Sequence, residues 1–184
     1  MIRIQNVVAK IDLKQELNLK KIMLTLTEAD TRYEPAIFPG LVVKMNSVSF
    51  LLFNRGSGIC VGAKSVSSCI AECRKMYGLL LEKGLVEDRG IEVDIRNVVA
   101  SADLGFRLDV ERASETLERV IYEPEIFPAA IWYMERPRVS LLLFQSGKVI
   151  IAGARSEEEV TEAYRKAIVE LSPLRLERTE AATA

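Results

Sequence analysis

Tyr33-Glu-Pro-Ala-Ile-Phe-Pro39 is written a second time, as Tyr122-Glu-Pro-Glu-Ile-Phe-Pro128, and the flanks of the two copies agree as well. Upstream, Asn6-Val-Val-Ala9 returns as Asn97-Val-Val-Ala100, and downstream, Gly62-Ala-Lys-Ser65 returns as Gly153-Ala-Arg-Ser156. The chain is a tandem duplication with a period of roughly ninety residues, too long for a common solenoid unit and too few in copies for a stacked array. Two similar halves related by a pseudo-two-fold axis are expected: residues 1–90, residues 91–176, and a short flexible tail at 177–184 with too little apolar content to pack. A ligand read by such a molecule is itself nearly two-fold, as duplex DNA is.

The 184 residues are 49% apolar, ample for a core. With 25 basic and 26 acidic residues the net charge is −1, which excludes a generally basic, phosphate-coating protein. Any nucleic-acid contact must therefore be local and partly apolar. There is no apolar run long enough to span a membrane, no signal-peptide pattern and no lipidation motif, so a soluble, intracellular protein is expected. The enzyme reading is poor: the chain has no His, no carboxylate pair at motif spacing and no nucleophile with an evident base. Gly56-Ser-Gly58 resembles a phosphate loop but lacks the Gly-Lys-Ser/Thr ending and reads as a hairpin turn. Cys60, Cys69 and Cys73 are confined to the first copy and fit a reducing compartment. Cys69 and Cys73 lie one helical turn apart. Without His or a second cysteine pair they read as small buried apolar residues, with no metal or cofactor expected.

Each copy opens with a strand, Ile2 to Ile11 and Ile91 to Ala102. A short amphipathic helix follows, marked by Leu19, Ile22, Met23 and Leu26 and more thinly by Val110, Ala113 and Leu117. The Tyr-Glu-Pro-x-Ile-Phe-Pro segment comes next, its prolines marking a stiff exposed loop. Then comes a meander, with strands at Leu41 to Met45, Val48 to Phe53 and Ile59 to Ala63, matched by Ala130 to Met134, Val139 to Phe144 and Lys148 to Ala154. The hairpins turn at Asn46-Ser47 and at Glu135-Arg-Pro-Arg138. A longer helix closes each copy, with stripes of Val66, Ile70, Cys73, Tyr77 and Leu80, and of Val160, Tyr164, Ala167 and Leu171.

Val7-Val8, Phe50-Leu-Leu-Phe53 and Val149-Ile-Ile151 are apolar at both strand parities, so both faces of the sheet are greasy. Two helices per copy cover only one face, and the other needs a partner. That partner is either a second protein surface, as in a sandwich core or homodimer, or a ligand. Phe38 and Phe127, each between an isoleucine and a proline on a stiff loop, are wedges repeated in both halves beside a second ring at Phe53 or Phe144.

Asn-Val-Val-Ala, Tyr-Glu-Pro-x-x-Phe-Pro, Leu-Leu-Phe, Ser-Gly-Lys-Val and Gly-Ala-Lys/Arg-Ser, in this order and duplicated, resemble the core of the TATA-box-binding protein family, and more its archaeal branch. The resemblance spans nearly the whole chain. It implies an α+β fold in which two tandem repeats form a saddle-shaped, curved antiparallel sheet, with helices on the convex side and a concave underside in the DNA minor groove. The family is itself a standing example of minor-groove kinking by inserted side chains. It implies a general transcription factor that binds the TATA box and bends it. Such a factor recruits transcription factor B and RNA polymerase into a pre-initiation complex, in the archaeal cytoplasm at the nucleoid, or in the nucleus of a eukaryote. The alternative is a divergent relative that keeps the saddle as a protein-interaction or dimerisation module; a free homodimer is compatible with both.

By the resemblance, Asn6 and Asn97 hydrogen-bond base edges near the centre of the site. Val8, Leu51 and Ile59, with Val99, Leu142 and Ile150, press on bases and sugars, and Ser101 lies on the same underside. Phe38 with Phe53, and Phe127 with Phe144, open base steps at the two ends. Lys44, Lys64, Lys148 and Arg155 sit at the rim for phosphates. Glu123, Glu125 and Ile126 resemble the stirrup that meets transcription factor B, whereas Ala36 stands in the first copy where Glu125 stands in the second. There are departures from the family pattern. Val61 and Ala152 occupy places usually held by threonine, Lys10 replaces a small underside residue, Ser57 a rim lysine and Tyr133 a rim arginine.

Overall fold

The computed structural model describes residues 1–176, so the expected tail at 177–184 lies outside the described residues. The chain forms two compact units, one of Ile4–Val98 and one of Met1–Arg3 with the residues from Val99 onward. The class is α+β, with antiparallel ladders and, among the described residues, four α-helices.

In the first unit β1 (Arg3–Asp12) leads into α1 (Leu19–Thr25), then β2 (Asp30–Arg32), β3 (Leu41–Met45), β4 (Val48–Leu52), β5 (Ser57–Ala63) and α2 (Val66–Glu82). The strand order is β2-β3-β4-β5-β1. The second copy repeats the plan with β6 (Glu92–Asp103), whose first residues belong to the first unit, then α3 (Val110–Thr116), β7 (Val120–Ile121), β8 (Ala129–Met134), β9 (Val139–Phe144), β10 (Lys148–Ala154) and α4 (Glu157–Leu171), closed by a 3-10 turn at Ser172–Leu174. Its order is β6-β10-β9-β8-β7.

The helices start where a side-chain oxygen can take an orphan N–H. Asn18 accepts from the Lys21 amide at 3.0 Å, Asp109 from Arg112 at 3.1 Å, and Ser156 from Glu159 at 3.2 Å. Ser65 and Ser68 close a reciprocal capping box at the start of α2. α2 rests on β5 and α4 on β10, burying alternate strand residues such as Phe50, Cys60, Leu141 and Ile151.

Several details depart from the sequence reading. Two edge strands, β2 and β7, were not expected; they have three and two residues and pair with β3 and β8. β5 starts at Ser57, earlier than Ile59, and β4 ends at Leu52, leaving Phe53 just beyond the strand. Finally, α2 buries Cys69, Cys73, Met76, Tyr77 and Leu80, while Val66 and Ile70 are only half-buried. The stripe is rotated toward the sulfur-bearing residues, which sit deeper than their modest hydrophobicity signals.

Candidate nucleic-acid interface

Strand residues alternate between the face under the helices and an opposite, half-buried face. In the first unit the ladder sets this second group in rows: Val42, Leu51, Ile59 and Lys10 in one, and Lys44, Ser49, Val61 and Val8 in the next. In the second unit Ile131, Leu142 and Ile150 form one row and Tyr133, Ser140 and Ala152 another. The apolar residues expected on the underside thus lie together within each unit. Asn97, Val99 and Ser101 are half-buried at alternate positions of β6.

Asn6 has a defined orientation. The ladder slips between Val7 and Val8, where Val7 faces Ala63 and Val8 faces Val61, so Gly62 is the extra residue of a bulge, at φ +103°. The amide of Gly62 donates to Asn6 Oδ1 at 2.8 Å. Because that contact needs the oxygen, Nδ2 is left as a donor, the chemistry that matches the acceptors presented by A·T pairs in a minor groove.

The two ring pairs form within their units. Phe38 meets Phe53 edge-on, centroids 5.9 Å apart, and Phe127 meets Phe144 at 6.3 Å. Phe38 and Phe127 remain 39% and 38% exposed. Each loop is drawn into a tight turn: the amides of Ile37 and Phe38 both donate to the Glu34 carbonyl, and those of Ile126 and Phe127 to the Glu123 carbonyl, all at 2.9 Å. The turn lifts Ile37 and Ile126 to the tips, 78% and 79% exposed, with Glu123 and Glu125 beside the second.

Lys44, Lys64, Lys148 and Arg155 are all exposed. Lys64 Nζ donates to the Gln5 carbonyl, which ties it to β1. Of the departures, Lys10 and Tyr133 are exposed and Ser57 half-buried opposite Asp12. Val61 lies directly opposite Ser49, and Ala152 opposite Ser140. A hydroxyl therefore stands one strand away from each place where the family pattern has one.

Sequence reasoning missed Val42, Ser49, Ile131 and Ser140, although the parity of Leu51 and Leu142 pointed to them. It also missed the arginines. Arg119, Arg136 and Arg138 line a recess of about 800 Å³ that continues the Tyr133, Ser140 and Ala152 row, with Arg119 paired to Glu135. In the first unit Lys10 and Arg96 flank an apolar recess of about 320 Å³ beside Val8, Phe53 and Ile59.

Fold and face together define a class: a duplicated α+β protein in which each unit has, opposite its helices, a half-buried and largely apolar strand face beside a ring pair. The profile of the family described as transcription factor TFIID (or TATA-binding protein, TBP) matches residues 1–83 and 92–174, and the chain belongs to that family of general, non-enzymatic transcription factors. It is 42% identical over 174 residues to the TATA-box-binding protein of Pyrodictium occultum, covering 94% of this chain and 86% of the relative. It is 38% identical over 167 residues to that of Aeropyrum pernix, covering 90% and 81%. A solved structure of Methanococcus jannaschii TBP superposes with a TM-score of 0.83 at 34% identity, covering 94% of this chain and 98% of the other. Among the described residues no helix is long and apolar enough to cross a membrane.

Proposed function

We propose that this chain binds an A·T-rich promoter element in the minor groove, kinks it by inserting Phe38 with Phe53 and Phe127 with Phe144, and recruits transcription factor B and RNA polymerase. The observation that carries the reading is the ring pair on a stiff loop in each unit, beside a half-buried apolar face. Each repeat, 1–90 and 91–176, takes one half of the element. Val8, Leu51, Ile59, Val61, Val99, Ser101, Leu142, Ile150 and Ala152 press on sugars and base edges, while Asn6 and Asn97 donate to A·T acceptors. Unstacking costs a few kcal/mol per step and is offset by the contact surface that a bent duplex gains. Lys44, Lys64, Lys148 and Arg155 hold phosphates, which fixes register without reading sequence. Glu123, Glu125 and Ile126 form the contact for transcription factor B, giving a nearly symmetric complex its direction, at the nucleoid of an archaeal cell.

A fluorescence-detected bending titration tests this, on a TATA duplex, a G·C-substituted duplex and with Phe127→Ala beside wild type. The expected result is bending of the TATA duplex, little with G·C, and a reduced bend with the variant. Absence of bending on any A·T-rich duplex would overturn the reading and return the open face to a protein-interaction role.

A further inference from the structure

The duplication breaks down at one buried place. Cys60, Cys69 and Cys73 correspond to Ile151, Val160 and Tyr164 in the second copy, so three sulfurs replace three unlike side chains. The sequence placed only Cys69 and Cys73 together. The structure adds Cys60 from β5, and all three thiols are free and fully buried. Their Sγ atoms all lie within 4.8 Å of one another. Three sulfurs bound at about 2.3 Å around one ion in a trigonal arrangement stand roughly 4 Å apart, so the side chains are already near ligating distance.

We propose that Cys60, Cys69 and Cys73 form a three-coordinate, all-sulfur site for one soft, thiophilic ion of the class of Cu(I) or trivalent arsenic. Ligand chemistry selects this class. The chain contains no His, and among the described residues no carboxylate joins the cluster, which leaves tetrahedral Zn(II) with three protein ligands. Charge discriminates within this class. No charged side chain is buried among the described residues, so thiolates left uncompensated in this core carry a desolvation cost. Arsenous acid reacting with three thiols gives a neutral product: three As–OH bonds and three S–H bonds break, three As–S bonds form, and three waters leave without change of oxidation state. Cu(I) held by all three sulfurs as thiolates releases three protons and leaves a net charge of −2, so in this apolar core the arsenic adduct is the better accommodated of the two. Binding pins α2 to β5, the strand whose opposite side carries Ile59 and Val61, and so raises the unfolding midpoint as ion concentration rises.

The test is a titration of the reduced full chain under anaerobic conditions with arsenite, with a chelated Cu(I) donor and with Zn(II). Native mass spectrometry counts the ions, and X-ray absorption at the arsenic or copper edge counts the sulfurs. One ion per chain with three sulfurs is expected, with Zn(II) held at least tenfold more weakly than Cu(I). Binding of arsenite alone or Cu(I) alone supports the site and identifies its ion. Cys60→Val, which follows the aliphatic choice of the second copy, is expected to weaken binding at least tenfold while DNA bending and the ion-free melt show the fold intact. Should Cys60→Val fail to fold, the sulfur count on the wild-type chain still decides. No binding, two sulfurs only, Zn(II) held as tightly as Cu(I), affinity unchanged in a folded Cys60→Val, or only a disulfide formed on air exposure would each overturn the proposal.

Discussion

The two ring pairs carry the same residues on the same loop and differ in what lies beneath them. Under Phe38 and Phe53 the backbone is bare: a Cβ on Gly40 would stand 2.6 Å from Phe38 Cε1 and 3.0 Å from Phe53 Cε1. In the second unit the corresponding residue is Ala129, buried and paired with Phe144 in the ladder. The centroids there are 6.3 Å apart, against 5.9 Å in the first unit. β8 and β9 accordingly each run one residue further than β3 and β4. The loops differ in charge as well. Glu34 is held by Arg32 at 2.7 Å, whereas the second loop presents Glu123 and Glu125. The duplication is thus imperfect around two like ring pairs, and under the proposed function these small asymmetries are what give the surface a direction.

Removing the rings is expected to have the largest effect. Phe38→Ala and Phe127→Ala should each weaken binding to a TATA duplex by about 2 kcal/mol, roughly thirtyfold, as for truncating an aromatic anchor at an interface. Each should also abolish one kink, which a bending assay with dyes at either end of the duplex resolves by end. Retention of the full bend by both variants would remove the wedge mechanism. Next comes Glu125→Arg, predicted to weaken the ternary complex with transcription factor B about tenfold by reversing a rim charge while leaving binary DNA affinity unchanged. Ala36→Glu, which gives the first loop the acidic residue of the second, should make the complex less selective in orientation; a footprint of transcription factor B confined to one flank would count against it.

Gly40→Ala tests the packing difference directly. The added methyl has to displace Phe38, at a cost of about 1 kcal/mol in stability and a looser first kink. Ala129→Gly, by contrast, adds no clash. The bend resolved at each end of the duplex should therefore loosen at the first kink for Gly40→Ala and stay unchanged at the second for Ala129→Gly, and an unchanged first kink would mean that the first ring pair shifts freely.

The strands of the meander were legible because period-two patterning and turn residues agree, and Leu41–Met45, Val139–Phe144 and Lys148–Ala154 lie as expected. The edge strands were not. Asp30–Arg32 is polar and too short to show a pattern, and it becomes a strand only because β3 offers a free ladder edge. The loop phenylalanines and the asparagines were singled out through duplication and family resemblance, whereas the facing of Ser49 with Val61 and of Ser140 with Ala152, and the recess that Arg136 and Arg138 share with the latter, depend on register, which local sequence does not encode. The meeting of Cys60 with Cys69 and Cys73 is likewise a fact of how α2 is rotated on β5.

The smallest predicted effect concerns the hydroxyls. Where the family pattern has threonine, this chain has Val61 and Ala152, yet Ser49 and Ser140 face those residues across the ladder. A serine displaced by one strand is still on the open face and still able to donate to the minor-groove acceptors of A·T pairs. One such hydrogen bond is worth about 1 kcal/mol net. Ser140→Ala should therefore weaken TATA binding about fivefold, and Ala152→Thr should recover most of that loss in the double variant. The first unit offers the matching pair, Ser49→Ala with Val61→Thr. Recovery in both units would mean that the polar centre has moved sideways within the sheet; additive losses without recovery would mean that these serines serve only to solvate the open face.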